Sequence, residues 1–245
     1  MLTRGIKAAD AILSGIVILI ITGMLLYGGY SLWDTAAVYR NAYLDDTLKK
    51  IKPTDQGGVN PSLEELKKIN PQVCAWIRVD QTHIDYPVVQ GSTNTEYLNK
   101  DVYGEFSYSG TLFLDNRNHN TFADSYSLIY GHHMEHGAMF GDVDKFRDET
   151  YFEEHPTGTL YLDGHKENIR FFACVKADAA DERFYTPENE TGQSLQSFVA
   201  YIREHAVSGR EMEFGENDRI IGLSTCSNTE TNGRVILFGK LSNVR

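Results

Sequence analysis

Between Ala11 and Trp33 the chain runs for 23 residues without a charged side chain, and about 20 apolar residues suffice for a helix to cross a bilayer. Ile16 to Ile21 is wholly apolar, and Tyr27, Tyr30 and Trp33 follow as an interfacial aromatic belt would. A cleaved signal peptide would instead end in a small-x-small site. The segment therefore reads as an uncleaved anchor. Arg4 and Lys7 precede it, so the positive-inside rule keeps the N-terminus cytoplasmic and puts everything after Trp33 outside the cell. The expected organisation is a cytoplasmic N-terminus over 1–10, a transmembrane anchor over 11–33, a helical stalk with N-terminal helices over 34–70, and an extracellular domain over 71–245.

Composition limits what that domain does. With 41% hydrophobic and 23% charged residues, the chain is one globular domain plus an appendage rather than a multi-span membrane protein. The formal charge is -11, and because the first 33 residues carry +1, the remainder carries -12. Such a surface excludes nucleic-acid binding through phosphates and repels anionic lipid. Three cysteines make no disulfide framework, and an odd count leaves at least one thiol free or paired between molecules.

After the anchor, Ala37, Leu44, Leu48 and Ile51 share one helical face, which predicts an amphipathic helix from Ala36 to Ile51. Lys52 to Pro61 breaks it, and Ser62-x-x-Glu65 is a capping box opening a short helix through Ile69 that Asn70-Pro71 stops. Beyond Pro71, eight β-rich runs punctuated by turn residues predict strands: Val73 to Val79, Ile84 to Val89, Thr111 to Leu114, Ser127 to Tyr130, Thr159 to Leu162, Ile169 to Ala177, Arg219 to Thr225 and Arg234 to Leu241. Their spacing points to a mainly β, largely antiparallel barrel or sandwich. Between the sixth and seventh runs, Leu195, Phe198, Val199 and Ile202 recur at helical spacing between Gly192 and Gly209, which predicts one crossing helix.

Cys226 stands where the apolar Ile220 to Leu223 turns polar, and a thiol at a strand end suits a nucleophile on a rigid scaffold. Cys74 and Cys174 lie among apolar strand residues and read as small buried hydrophobes. Eight residues past Cys226, Arg234 opens the next strand, from which a guanidinium can reach a reacting carbonyl or a substrate backbone. Three histidines cluster in Gly131-His132-His133-Met134-Glu135-His136-Gly137 directly after a strand. His132-x-x-Glu135-His136 matches a zinc-protease pattern, which needs a helix to bring both imidazoles to one face, and two glycines bracketing five residues make a poor helix. His132, leaving the strand alongside a strand-end Cys, is the better acid or base.

Taken together these residues resemble a sortase of class B. The resemblance is carried by Leu223-Ser224-Thr225-Cys226 followed by Arg234, by Ile129-Tyr130-Gly131-His132, and by Asn70-Pro71, Trp76-Ile77 and Ile84-Asp85-Tyr86-Pro87-Val88-Val89-Gln90. Gly110-Thr111-Leu112-Phe113-Leu114-Asp115 belongs to it as well, and the match runs in order from about Leu63 to Leu241. The anchor, the helices before the first strand and the crossing helix also resemble class B. Two departures stand out. Gly222 replaces the Thr that usually opens the cysteine motif, and Asn228 stands where some members carry an acidic residue.

The resemblance implies an eight-stranded sortase-type barrel and a cysteine transpeptidase that needs neither metal nor organic cofactor. Cys226 would attack a Thr carbonyl in a C-terminal sorting signal of a secreted protein. His132 would serve as acid and base, and Arg234 would bind the oxyanion or the signal backbone. By the same analogy Ser224, Leu98 and Tyr185 would contact the signal, and the acceptor would be a peptidoglycan-precursor or pilin amine. Two other classes stay open from the residues: a membrane-anchored zinc peptidase using His132, Glu135 and His136, and a non-enzymatic anchored surface β-domain.

Overall fold

A computed structural model describes residues 2–40, 42–53, 61–186, 194–226 and 233–243. The chain divides into two compact units, 1–40 and 41–245. The first is helix α1 (Leu2–Arg40), within which Ala9–Tyr39 is long and apolar enough to cross a membrane. Leu19, Leu25 and Leu26 are each more than 70% exposed. That makes α1 a candidate membrane anchor.

The second unit opens with α2 (Asp46–Ile51) and α3 (Pro61–Ile69). The expected continuous helix from Ala36 to Ile51 is instead divided: α1 ends at Arg40, and Asp45 caps a new helix by accepting from the Leu48 amide at 2.8 Å. A short carboxylate that captures backbone N–H groups favours a fresh N-terminus over helix continuation. Helix α3 starts on Pro61, which suits a first helical position; the Ser62 side chain of the expected capping box and most of the linker before it lie outside the described residues.

Among the described residues nine strands follow: β1 (Val73–Val79), β2 (Asp85–Val89), β3 (Leu112–Leu114), β4 (Tyr126–Gly131), β5 (Thr157–Leu162), β6 (His165–Asp178), β7 (Ala206–Gly209), β8 (Arg219–Cys226) and β9 (Gly233–Asn243), with α4 (Glu149–Glu154) before β5 and α5 (Glu182–Tyr185) and α6 (Leu195–His205) between β6 and β7. Eight of them close into a barrel in the order β1-β2-β3-β4-β8-β9-β6-β5, with β5 returning to β1. The β2–β3 and β4–β8 pairs are parallel and the rest antiparallel. The eight-stranded barrel expected from the sequence is therefore present. The strand not foreseen, β7, is a four-residue edge outside the ring, paired only to β6. It follows α6 (Leu195–His205) with no intervening turn residue, so nothing in the sequence marked its start.

Ile77, Val88, Leu112, Ile129, Phe171 and Leu223 fill the barrel interior. Outside, Leu195, Phe198, Val199 and Ile202 of α6 are all buried against Tyr126, Leu128, Phe172 and Phe238, each large side chain so buried contributing about 1.5–3 kcal/mol. On another face, Leu48 of α2 and Leu63 and Leu66 of α3 cover Trp76, Val89 and Phe113. Strands β4 and β8 are thus buried on both faces, which is why Ile220 to Leu223 reads as a continuous apolar run.

Candidate active site

The barrel brings three of the expected residues to the ends of three neighbouring strands. In the parallel β4–β8 ladder Gly131 pairs with Thr225, so His132 and Cys226 each follow one residue beyond a paired position. Adjacent strands lie about 4.8 Å apart. In the antiparallel β8–β9 ladder Cys226 pairs directly with Arg234. The Cys226 side chain and residues 227–232, Asn228 among them, lie outside the described residues.

Gly131 lets Leu112 and Phe140 pack closely against the end of β4. A Cβ at that position would come within 2.4 Å of Leu112 Cδ2 and 2.6 Å of Phe140 Cδ2. Just after it, the Phe140 amide donates to the His132 carbonyl at 3.0 Å and His133 bridges Met139, so the returning segment fixes the His132 backbone. The imidazole is half-buried, and burial holds its pKa below the usual histidine value. His132 is therefore a neutral imidazole at neutral pH, able to take a proton before giving one.

His132, Arg234, Ser224, Leu98 and Tyr185 all line one cleft of about 370 Å³. Arg234 is half-buried and donates from Nη1 to the Gly233 carbonyl at 3.0 Å. Among the described residues no carboxylate pairs with it, so its charge faces the cleft. A larger groove, about 690 Å³ between α6 and residues 211–214, holds Arg203, Glu211 and Glu213 but neither His nor Cys. Chemistry selects the smaller cleft.

The zinc-peptidase reading fails on geometry. Glu135–Gly137 is a single 3-10 turn with His136 at φ 59°, so His132 and His136 do not share the face of a helix. Cys74 and Cys174 are buried, as expected, and burial pushes both thiols up to about 12, which suppresses the thiolate.

Asn94, Arg117, Tyr130 and Thr225 also line the cleft and were not singled out from the sequence. Three of them meet on Asp115, a carboxylate with no exposed surface, at the end of β3. Arg117 donates to it through Nε at 2.9 Å and Nη2 at 2.8 Å, Tyr130 through its hydroxyl at 3.0 Å, and Asn94 through Nδ2 at 2.9 Å. Burial works to raise the Asp115 pKa, but the hydrogen bonds and charge of Arg117, with the Tyr130 hydroxyl, outweigh it and hold the carboxyl below its usual value. Tyr130, Thr225 and Asp115 fell within motifs that could have flagged them, and Asn94 and Arg117 did not.

The closed eight-stranded barrel, with Cys226, half-buried His132 and Arg234 at the ends of three neighbouring strands, has the parts of a thiol acyl-transfer enzyme. The sortase-domain family model matches residues 77–242, and the chain belongs to the sortase family, whose members are cysteine transpeptidases. Its relatives place it with class B. It is 30% identical to sortase B of Listeria monocytogenes over 236 residues, 91% of this chain and 94% of that protein. A class B sortase of Streptococcus pyogenes involved in pilus biogenesis superposes with a TM-score of 0.69 at 42% identity, covering 73% of this chain and 97% of that one. Sortase B of Staphylococcus aureus superposes with a TM-score of 0.70 at 29% identity, covering 78% and 91%.

Proposed function

We propose that this transpeptidase cleaves a C-terminal sorting signal of secreted proteins after a Thr and transfers the acyl group to an amine of the cell wall or of a pilin. The observation that carries the reading is the convergence of His132, Cys226 and Arg234 on adjacent strand ends, with His132 and Arg234 lining one cleft. Neutral His132 takes the Cys226 proton as sulfur attacks the Thr carbonyl. The carbonyl electrons move to oxygen, where the Arg234 guanidinium supports the oxyanion. Collapse breaks the peptide bond, and His132 gives its proton to the leaving amine. The thioacyl enzyme then meets the acceptor amine, which loses a proton to His132 and displaces Cys226. Ser224, Leu98 and Tyr185 hold the signal.

Helix α1 anchors the enzyme with its N-terminus cytoplasmic and its barrel outside, where secreted substrates and acceptor amines are held at the same surface. The shared membrane raises the effective concentration of both. The acidic exterior leaves nucleic acid out of the partner set.

Incubating the full chain in detergent with sorting-signal peptides, a peptidoglycan-stem amine and a pilin-lysine peptide tests this reading by product mass. A ligated product with one amine identifies the acceptor. Peptides left intact in every mixture would refute the activity.

A further inference from the structure

We infer that buried Asp115 and the Arg117 it holds form a clamp that fixes the Tyr185 wall of the cleft and so sets affinity for the sorting signal. Neither residue touches the reacting atoms in this account, so both are positioning residues.

The argument starts from α5 (Glu182–Tyr185), a four-residue helix in the long connection between β6 and β7. The last carbonyls of a helix have no intrahelical partner. Here both are captured from the barrel side: the Tyr126 hydroxyl donates to the Phe184 carbonyl at 2.9 Å, and Arg117 Nη2 donates to the Tyr185 carbonyl. The same Arg117 nitrogen also donates to Asp115, whose backbone amide is held by the Leu128 carbonyl at 2.8 Å. A single guanidinium fork thus ties the helix to a carboxylate rooted in the barrel. Nε holds the other oxygen of Asp115 at 2.9 Å, so the planar guanidinium keeps a two-point grip on the carboxylate while reaching the helix.

The clamp sets side-chain positions as well. Tyr185 stacks on Tyr130 with ring centroids 6.5 Å apart and planes at 12°, and Tyr130 stacks on Phe113 at 5.2 Å. Asp115 accepts the Tyr130 hydroxyl and the Asn94 amide, so one carboxylate orients four cleft-lining residues. Those four come from sequence positions 94 to 185. Gly222 belongs to the arrangement: a Cβ there would approach the Tyr126 hydroxyl to 2.9 Å, in the position from which it reaches Phe184. The departure from the family's usual Thr thereby makes room for the second tether.

This inference rests on the proposed signal-transfer reaction for its kinetic consequence, but not for its structural one. The test uses the full chain in detergent with Arg117→Lys, which keeps the charge but cannot fork, and Asp115→Asn. Losing a charge-assisted bond should raise KM for the signal peptide by roughly 10-fold or more with kcat within about 3-fold. Hydrogen exchange should accelerate at the Phe184 and Tyr185 amides while Ile221 and Leu237 in the barrel stay protected. Unchanged exchange in α5, or a fall in kcat at constant KM, would overturn the clamp. If wild-type enzyme ligates no peptide, the functional reading fails while the exchange comparison still decides the clamp. If Asp115→Asn does not fold, Arg117→Lys carries the same measurements alone.

Discussion

Cys226 on β8 stands directly opposite Arg234 on β9 in an antiparallel ladder. Directly opposed residues share a face of a sheet, so the pairing itself, rather than a flexible loop, brings the cation to the neighbourhood of the proposed nucleophile. His132 reaches the same level from the parallel neighbour β4. Each of three strands thus supplies one functional group.

Replacing Arg234 by Lys keeps the charge and most of the length but loses the planar fork. If the guanidinium supports the oxyanion, kcat for transpeptidation should fall about 10²- to 10³-fold. Stopped or continuous ligation assays give kcat, and the thermal midpoint recorded alongside separates catalysis from folding. A folded variant with near-normal kcat removes Arg234 from the site.

The pH dependence follows from His132. Burial holds its folded-state pKa below the unfolded value near 6.5. The folded enzyme therefore takes up this proton less readily than the unfolded chain. Its contribution to stability is complete above about pH 6.5 and is lost as pH falls through that value towards the lower folded pKa. The acid limb of kcat/KM should accordingly lie below about 6.5 and vanish in His132→Ala along with activity. An acid limb above about 7 would mean that a different group limits the reaction. Chelators should leave the profile unchanged, because no step draws on the His132, Glu135 and His136 pattern.

Gly131→Ala should be costly although it removes nothing. The added methyl meets Leu112 and Phe140 below 3 Å, and overpacking of this kind costs about 1–3 kcal/mol. A lowered thermal midpoint, with displaced His132 and reduced kcat, is the expected outcome. An unchanged midpoint would show that the end of β4 relaxes freely.

The anchor has its own test. Protease added to intact protoplasts should cut between about Trp33 and Pro61 and release the barrel domain. A domain that stays protected would reverse the proposed orientation.

How much of this was legible in the sequence depends on the range of the interaction. The barrel strands were readable because short apolar runs between turn residues report local burial, and α6 because Leu195, Phe198, Val199 and Ile202 repeat at helical spacing. The break between α1 and α2 was not, because a carboxylate at Asp45 had to compete with an otherwise uninterrupted amphipathic pattern. Strand β7 was hidden because it is short, and it pairs at an edge without a turn before it. His132, Cys226 and Arg234 were found as motifs that adjoin strand ends. The Asp115 hub was invisible, since its donors Asn94, Arg117 and Tyr130 come from separate segments that only the folded barrel brings together.

The central claim is that Cys226 carries the acyl group, and intact-protein mass spectrometry of the full chain with a sorting-signal peptide tests it directly. In the absence of acceptor amine, the enzyme should gain the mass of the acyl fragment, mapped to Cys226 and discharged when amine is added. Cys226→Ala should gain none, while Cys74→Ala and Cys174→Ala, whose thiols are buried in the core, should still acylate despite losing about 1 kcal/mol of stability. An adduct on another residue, or peptide cleavage that persists in Cys226→Ala, would contradict the mechanism.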